Sequence, residues 1–340
     1  MSEKVFINDI VISSRIRLAR NISTIPFPSR ANDDESMQAM SNILDATTKN
    51  DSLIDDCFEL TKIDTLSDLS RQSMVEKHLI SPELGKNRQS GAVINNDQTI
   101  SIMINEEDHL RIQCILQGFS LEEAYNEANR IDEAIQEKLA CSFNEKYGFL
   151  TTCPSNLGTG MRAGVMVHIP AIVLNSRLNG IANMASKFGL AIRGIYGEGS
   201  EALGDLFQVS NQYSLGLTEE EIVNNIHSVA KEIIKLERDE RNKLLINQED
   251  VLKDKIQRAY GVLTNAYILS TKEAMSLISL LRMGADLEIF QSINYEKLNQ
   301  LITEIQPATL TLNENDFLDE KKRDICRARY IKEKLTGKRE

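Results

Sequence analysis

A strict alternation of apolar and polar positions flanks a short charged cluster in residues 100–116, ISIMINEEDHLRIQCIL. A period of two on both sides of this cluster predicts two paired strands that share one buried face. The alternating apolar positions are Ile100, Ile102, Ile104, Leu110, Ile112, Cys114 and Leu116. The charged residues 106–109 would then form the tip of a hairpin, and Arg111 would point away from the core. An ordinary solvated hairpin turn has the same pattern, so the chemistry of the tip depends on the rest of the chain.

A further strand is predicted by residues 9–20, DIVISSRIRLAR. Arg15 and Arg17 are two positions apart, so both guanidinium groups would leave the same face of a strand. Two parallel cations repel each other unless an anion lies across them, and a triphosphate presents oxygens that match the planar donors of arginine. A solvated basic edge strand is the alternative for this segment taken alone.

Residues 147–169, YGFLTTCPSNLGTGMRAGVMVHI, combine a predicted short strand at 149–152 with a glycine-rich loop. We expect a helix to begin near Arg162, so that strand, loop and helix N-terminus would together form a cradle for an anion. The stretch contains no G-x-x-x-x-G-K-S/T motif, and its glycines miss the spacing of a dinucleotide-binding loop. Cys153 follows the predicted strand, where a plain buried thiol is the alternative to a reactive one.

Residues 189–211 predict a strand that carries Arg193, a glycine-rich loop that carries Glu198, and another strand from residue 206 to 211. Glycines on both sides of one carboxylate are typical of a mobile flap that closes over a ligand. An acidic surface loop is the alternative for this stretch alone.

The other segments have helical patterns. Residues 30–65 are acidic and helical in character, and residues 120–140 have an amphipathic stripe. Thr218 with Glu221 forms a capping box before a long charged helix. Helical patterns continue from there to the end of the chain.

These patterns predict the fold class α+β, with an antiparallel sheet flanked by helices and followed by an all-helical domain. We place the catalytic domain at residues 1–248 and the helical domain at residues 249–340. Basic side chains are concentrated on a predicted helix in residues 319–335.

Composition narrows the class of protein. The 340-residue chain has a net charge of −11, which argues against a general binder of nucleic acid or of an anionic membrane. Its five cysteines lack metal-ligand spacing and its four histidines are dispersed, which predicts reduced thiols in the cytoplasm and no zinc site. Neither a signal peptide nor a bilayer-spanning stretch is predicted.

The arginines of these segments form one candidate inventory, namely Arg15, Arg17, Arg111, Arg162 and Arg193. Such a set suits a nucleoside triphosphate with its magnesium, where catalysis is mostly positioning and charge stabilisation. Glu107 and Glu198 are predicted on loops that could face the same cleft. Two carboxylates can hold the planar fork of a guanidinium substrate, and one can accept the proton lost on attack.

The segments SSRIR, NEEDHLRI, CPSNLGTGMRA and RGIYGEGSE resemble, in order, the motifs of the ATP:guanido phosphotransferase family, which includes creatine and arginine kinases. The resemblance implies the phosphagen-kinase (glutamine synthetase-like) fold and the use of ATP with Mg²⁺. It implies that the five arginines bind the nucleotide phosphates, that Glu107 is the catalytic base, and that Glu198 is a second carboxylate for the guanidinium. It further implies a reactive thiol at Cys153. The same resemblance places His78 at the nucleotide and places Glu106 and Asp108 in the magnesium shell.

Within this family the layout is similar to that of the bacterial protein arginine kinases. Phosphagen kinases have a helical domain before the SxRxR motif, whereas here only a short segment precedes it and an extra helical domain follows the catalytic one. The resemblance implies phosphorylation of exposed arginine side chains in proteins, which marks them for regulated proteolysis in protein quality control under stress. It also implies a phosphoarginine pocket at Arg323, Asp324 and Arg327.

The same resemblance implies several partners, namely a second copy in a homodimer, a zinc-binding activator protein and a Clp protease. Neither a membrane nor direct binding of nucleic acid is expected. Two alternatives are a small-molecule guanidino kinase and a non-catalytic adaptor that binds phosphoarginine.

Overall fold

The computed structural model describes residues 9–84, 89–196, 202–290, 295–314 and 318–337. Eight strands form one sheet in the order β2-β3-β4-β5-β1-β8-β10-β9, and every neighbouring pair is antiparallel. The strands of the sheet are β1 (Val11–Arg20), β2 (Glu59–Lys62), β3 (Gly91–Ile94), β4 (Ile100–Ile104), β5 (Leu110–Gln117), β8 (Met161–His168), β9 (Leu190–Tyr196) and β10 (Ala202–Asn211), and a separate ribbon contains β6 (Phe143–Asn144) and β7 (Gly148–Phe149).

Helices cover the sheet and fill the C-terminal region. They are α1 (Asp33–Thr48), α2 (Asp68–Glu76), α3 (Leu121–Gln136), α4 (Pro170–Leu174), α5 (Leu178–Lys187), α6 (Glu219–Asn265), α7 (Thr271–Asp286), α8 (Tyr295–Glu304), α9 (Pro307–Asn313) and α10 (Glu320–Thr336), with 3-10 turns at Asp51–Asp56, Ile63–Thr65 and Pro154–Asn156. The predicted α+β class, with an antiparallel sheet and a helical C-terminal region, is confirmed. Among the described helices, none has the length and apolar character needed to cross a bilayer.

The predicted central hairpin is confirmed by the pairing of β4 with β5. Ile104 lies opposite Leu110 and Ile102 lies opposite Ile112, so the alternating apolar positions share one buried face. Arg111 lies opposite Met103 on the other face of the hairpin. The alternation fixes this register because a slip of one residue would move the whole apolar set off the main core and onto the face that carries Arg111.

The helix predicted to begin near Arg162 is wrong, because residues 161–168 form strand β8 in the middle of the sheet. Met161, Ala163 and Val165 alternate into the core while Arg162 leaves from the opposite face. A central strand needs this alternation, and β8 pairs with β1 on one side and β10 on the other. The predicted helix N-terminus for anion binding is therefore absent at Arg162.

One face of the sheet is packed under helices, including α3 and the first half of α6. Ile16 and Leu18 of β1 lie in this main core together with Ile131 of α3 and Ile226 of α6. Arg15 and Arg17 occupy the alternate positions of β1 and leave from the other face. The main core thus supports a surface that carries the candidate arginines.

The C-terminal helices pack against one end of this second face. Ile12 and Leu206 of the sheet join an apolar cluster with Leu263 of α6 and Leu281 of α7. Met166 also packs there, four positions along β8 from Arg162 and therefore on the same face. The helical region covers only one end of the arginine-bearing face.

Helix α6 begins with the predicted capping box, in which the Thr218 side chain accepts from the Glu221 backbone N–H and the Glu221 side chain accepts from Thr218. It continues past the predicted domain boundary at residue 248, with a non-helical backbone at Gln248 (φ −146°, ψ 36°) that kinks it. The division of the chain into domains at this point stays a prediction.

Candidate active site

Two arginines lie directly opposite each other at the centre of the sheet. Arg17 of β1 faces Arg162 of β8 across an antiparallel pair, and Gln113 of β5 is the partner of Arg17 on the other side. Like charges directly opposite on one face of a sheet are destabilising. This juxtaposition therefore indicates a site built for an anion.

The donors of these two arginines support that reading. The Nε atoms of both Arg17 and Arg162 are buried, and neither has a hydrogen-bond partner within the described part of the chain. Burial together with the guanidinium groups of Arg15, Arg162 and Arg111 lowers the pKa of Arg17 well below its usual range. Buried donors normally have partners, so an anionic ligand that supplied acceptors here would satisfy the donors and relieve the repulsion between cations.

Arg15 is held at the edge of this group by a side-chain relay. Its Nε donates to Gln113 Oε1 at 2.9 Å, and Gln113 Nε2 donates to the backbone carbonyl of His78 at 2.7 Å. His78 adopts a left-handed backbone with φ 59°. Burial, with the charges of Arg15 and Arg17, lowers the pKa of His78 to about 4, so its imidazole is neutral near pH 7. His78 thus lies near Arg15 and Arg17, on a segment that the Gln113 relay holds, and its contact with a nucleotide stays a prediction.

Arg193 lies on the edge strand β9, opposite Gln208 of β10. Its side chain is exposed. Its charge is among the causes, after burial, that lower the pKa of Arg162. Arg193 therefore extends the positive surface from the buried pair toward solvent.

Arg111 is fixed by the tip of the central hairpin. Its NH1 donates to Glu106 Oε1 at 2.9 Å, and its NH2 lies 2.7 Å from Glu106 Oε2 in an ion pair. Ser81 donates a hydrogen bond to the same carboxylate. Arg111 NH2 also donates to Glu107 Oε2 at 3.3 Å. Glu106 is thus engaged by the protein, whereas Glu107 has one long contact with Arg111.

Asp108 and His109 anchor the hairpin tip to neighbouring segments. Asp108 Oδ1 accepts from Asn21 Nδ2 and from the Thr152 backbone N–H, both at 2.7 Å. His109 Nδ1 accepts from the Ile22 backbone N–H at 3.1 Å. This rigid attachment positions the adjacent Glu107 without using its carboxylate.

Glu107 and Cys153 both line a small cleft of about 90 Å³. Its lining residues are Arg17, Ala19, Glu107, Arg111, Cys153, Ser155, Asn156, Gly160 and Arg162. Burial and the charge of Asp108 raise the pKa of Glu107, while Arg111 and a hydrogen bond from Cys153 oppose this rise. Cys153 Sγ lies 3.1 Å from Ser155 Oγ. The cleft therefore places a carboxylate and a thiol beside the paired arginines.

Close backbone packing forms one wall of the cleft. Gly160 has φ +67°, and a Cβ at this position would lie 2.4 Å from Arg20 NH1 and 2.6 Å from the Ala19 carbonyl. Arg20 is itself buried, with NH2 2.6 Å from Asp132 Oδ2 and NH1 bonded to the Thr159 carbonyl at 2.9 Å. The glycine loop is thus pulled onto β1, next to Arg17.

The remaining predicted site residues are elsewhere or outside the described residues. Glu198 lies outside them. Arg323, Asp324 and Arg327 are together on α10, where Arg327 is buried and donates to the carbonyls of Ile305 and Leu269 at 3.0 and 2.8 Å. Arg327 also pairs with Asp324. Arg323 is half-buried on the same helix.

The carboxylates of the hairpin tip, Glu106 and Asp108, are the predicted ligands of magnesium. In the described ranges, no group of three or more His, Cys, Asp or Glu side chains could hold a metal ion. Glu106 is occupied by Arg111 and Ser81, and one oxygen of Asp108 by Asn21 and Thr152. Mg²⁺ commonly uses one or two carboxylates together with substrate phosphates and waters, and such a mode needs no protein-only cage.

The sequence patterns did not identify the residues that hold the candidate site side chains in place. Gln113 shares a face of β5 with Arg111, two positions away, so the period of two could have identified it. Asn21 and Ser81 had no comparable signal, because their partners, Asp108 and Glu106, are distant along the chain.

Comparison with known protein families assigns most of the chain to two family models. Residues 37–240 match the model of the ATP:guanido phosphotransferase C-terminal catalytic domain, and residues 249–340 match that of the protein-arginine kinase McsB C-terminal domain. A protein-arginine kinase of Caldanaerobacter subterraneus subsp. tengcongensis is 46% identical over 331 residues, covering 97% of this chain and 98% of that protein. One from Halothermothrix orenii is 45% identical, covering 96% of this chain and 93% of that protein.

Solved structures of phosphagen kinases share the fold. The crystal structure of lombricine kinase aligns with a TM-score of 0.59 at 25% identity, covering 68% of this chain and 67% of that chain. The duplicated taurocyamine kinase from Schistosoma mansoni, with bound transition state analog components, aligns with a TM-score of 0.63 at 24% identity and covers 78% of this chain and 40% of that chain. From its two matched domains and these near full-length relatives, the chain belongs to the ATP:guanido phosphotransferase family, with the two-domain layout of the protein-arginine kinases.

Proposed function

We propose that this chain transfers the γ-phosphoryl group of ATP to arginine side chains of proteins. The observation that carries the proposal is the cleft lined by Glu107 and Cys153, which is also lined by Arg17 and Arg162 with their unpartnered buried Nε donors. Phosphate oxygens would satisfy those donors, and a guanidinium would be attracted to the Glu107 carboxylate. Relatives at about 45% identity that span nearly the whole chain are named protein-arginine kinases.

In the proposed reaction, a guanidinium nitrogen of the substrate forms a bond to the γ-phosphorus. The bond between that phosphorus and the β–γ bridging oxygen breaks, and ADP leaves with the electron pair. Glu107 accepts the proton that the nitrogen loses, which it can do because its carboxylate is half-exposed in the cleft. Cys153 and, by the family resemblance, Glu198 would hold the other side of the guanidinium.

The arginine cluster would stabilise the charge of the transferring phosphoryl group. Arg17 and Arg162 face each other, and Arg111 is held ready by Glu106. A preorganised cation of this kind needs no rearrangement at the moment of reaction. Magnesium would bind with the nucleotide phosphates and supply further charge neutralisation there.

The purified chain with ATP and an arginine-rich protein provides the direct test. We expect acid-labile phosphate on arginine residues, located by mass spectrometry, and none on a matched substrate whose arginines are lysines. The variant Glu107→Gln is the enzyme control. Free arginine as the sole acceptor would identify a small-molecule guanidino kinase, and the absence of phosphate transfer to any guanidine would contradict the proposal.

The family layout supports further proposals about the cellular role. Marked proteins would be delivered to a Clp protease during stress, in the cytoplasm, and a zinc-binding protein would activate the kinase. The chain would act as a homodimer, and Arg323 with Asp324 would recognise phosphoarginine. Co-purification from cells with and without stress, followed by mass spectrometry of the bound proteins, tests these partners.

A further inference from the structure

A large groove lies next to the candidate active site and is not used by the proposed reaction. It has a volume of about 700 Å³ and is lined by Ser23, Thr24, Ile25, Pro26, Phe27, Ser29, Arg30, Ser142, Thr151 and Thr152. One wall is the loop that leaves β1, residues 23–30, and the other is the segment that leads into Cys153. Sites of this size bind drug-sized molecules or a few residues of a peptide.

Both walls of the groove are attached to the hairpin tip that carries Glu107. His109 bonds the first wall through both ring nitrogens, with Nδ1 accepting from the Ile22 N–H at 3.1 Å and Nε2 lying 3.0 Å from the Pro26 carbonyl. The Thr152 N–H of the second wall donates to Asp108 at 2.7 Å. The groove therefore neighbours the cleft, because Thr152 precedes Cys153 in the chain and bonds to Asp108, which follows Glu107.

The backbone beneath the groove is already satisfied. The Ser23 N–H donates to the Ala140 carbonyl at 2.9 Å, and the Ser142 N–H donates to the Asn21 carbonyl at 2.7 Å. The groove does not need an added strand to complete its own hydrogen bonding. A ligand would instead meet the side chains of the two walls.

Those side chains combine an apolar floor with hydroxyl groups. Ile25 is buried, while Pro26 is exposed and Phe27 is half-buried beside it. Thr152 Oγ1 is buried and has no hydrogen-bond partner among the described residues. Arg30 is the one charged residue among those that line the groove. This chemistry suits a neutral or acidic stretch of polypeptide with an apolar side chain, and it differs from the row of cations that would bind phosphates.

We propose that this groove binds the stretch of a protein substrate that adjoins the target arginine. The inference deepens the proposed function and rests on it. When the guanidinium occupies the cleft beside Glu107, the substrate backbone must pass close to the mouth of the cleft. Neighbouring residues follow at about 3.8 Å per Cα, so the chain reaches the groove within a few residues.

The test fills the groove without touching the cleft. Thr24 is exposed in the first wall, and Thr24→Trp would place a large side chain in the groove. Thr65 is an exposed threonine outside the groove, and Thr65→Trp is the matched control. Each variant is compared with wild type on a protein whose target arginine is flanked by neutral or acidic residues, and on N-acetylarginine amide, a substrate too small to reach the groove.

We expect Thr24→Trp to lower kcat/KM for the protein by about tenfold or more, the size of the loss of one significant interface contact. The small substrate should change by less than about twofold, which is within the usual effect of a surface substitution. The control should change neither value. Arg30→Glu should lower kcat/KM most for peptides with acidic residues beside the arginine.

Three outcomes with Thr24→Trp overturn the inference. Equal losses on both substrates would mean that Thr24→Trp disturbs the cleft itself, and no loss on the protein would mean that the groove is not used. A groove occupied by a second copy of this chain would instead give a changed oligomeric state in Thr24→Trp, which also overturns it. Failure of the proposed function gives a different result, because wild type would then phosphorylate N-acetylarginine amide and not the protein, and the groove assignment would fall with it.

Discussion

Glu107→Gln separates the proposed proton transfer from nucleotide binding. The substitution keeps the size of the side chain but removes its negative charge and its ability to accept a proton. Arg111 should stay in place, because Glu106 contacts it through two oxygens at 2.9 and 2.7 Å whereas Glu107 contacts it once at 3.3 Å. ATP binding should therefore remain close to that of wild type.

The expected loss is in the chemical step. A guanidinium has a pKa above about 12, so its nitrogen attacks poorly unless a base removes a proton as the bond forms. Positioned general bases contribute about 10²–10⁴ in rate, which corresponds to roughly 3–5.5 kcal/mol in the activation free energy. Turnover on an arginine-rich protein measures the loss in the chemical step. ATP affinity from calorimetry and the melting temperature are the controls for nucleotide binding and for folding.

The pH profile gives an independent readout of the same carboxylate. Burial and Asp108 raise the pKa of Glu107, so on acidification it takes up its proton at a higher pH than an ordinary glutamate. The base is active only when ionised, so kcat/KM should fall as the pH decreases through this raised pKa. Glu107→Gln should lack that acidic limb. A variant that retained more than about a tenth of wild-type turnover, with the limb intact, would refute the assignment of the base.

Three further predictions concern residues around the site and the helical region. Arg17→Ala and Arg193→Ala should each weaken ATP binding by about 1.5–3 kcal/mol, which is typical of a charge-assisted contact, and should change the melting temperature little. Unchanged ATP affinity of both variants in calorimetry would argue against a phosphate site. Arg323→Ala should abolish binding of phosphoarginine to the full chain while phosphorylation of protein continues, and equal calorimetric affinity of variant and wild type would contradict this. Glu76→Ala removes a carboxylate that accepts from the Ala308 and Thr309 N–H groups at 2.9 and 2.8 Å. The free energy of unfolding should therefore fall by about 1–3 kcal/mol. Denaturation curves that match wild type would contradict a stabilising role for this contact.

The central strands could be predicted because one face of each is buried. In β1, β4 and β5 the alternation of apolar side chains is the direct result of a sheet with one face on the main core. β8 follows the same rule, but its glycines suggested a loop and a helix. Gly164 is in fact required within the strand, since a Cβ there would lie 2.5 Å from both Gln208 Nε2 and the Val209 carbonyl.

The short strands at the edge had weaker signals. β2 and β3 have four residues each, and β2 falls in the stretch 30–65 that was predicted to be helical. α1 occupies only part of that stretch. Pairing with β3 holds β2 extended, and such a tertiary contact is invisible to a local pattern.

The charged residues of the candidate site could be predicted from the sequence, but the residues that hold them in place could not. Five arginines against an acidic background could be recognised from the sequence because like charges need an anion. The register that places Arg17 opposite Arg162 could not, because it depends on the pairing of β1 with a strand about 140 residues later. The same holds for Gln113, whose role follows from its position beside Arg15 and His78.

Two adjacent glutamates at one hairpin tip have different electrostatic roles in the candidate site. Glu106 is buried and neutralises Arg111, so that this arginine can be fixed near the nucleotide in the absence of phosphate. Glu107 is left with a long contact to the same arginine, and the charge of Arg111 partly offsets the rise in its pKa. Without Arg111, the proposed base would take up its proton at a still higher pH. The Arg111 guanidinium contacts both carboxylates. This one side chain therefore links the proposed phosphate site to the ionisation of the proposed base.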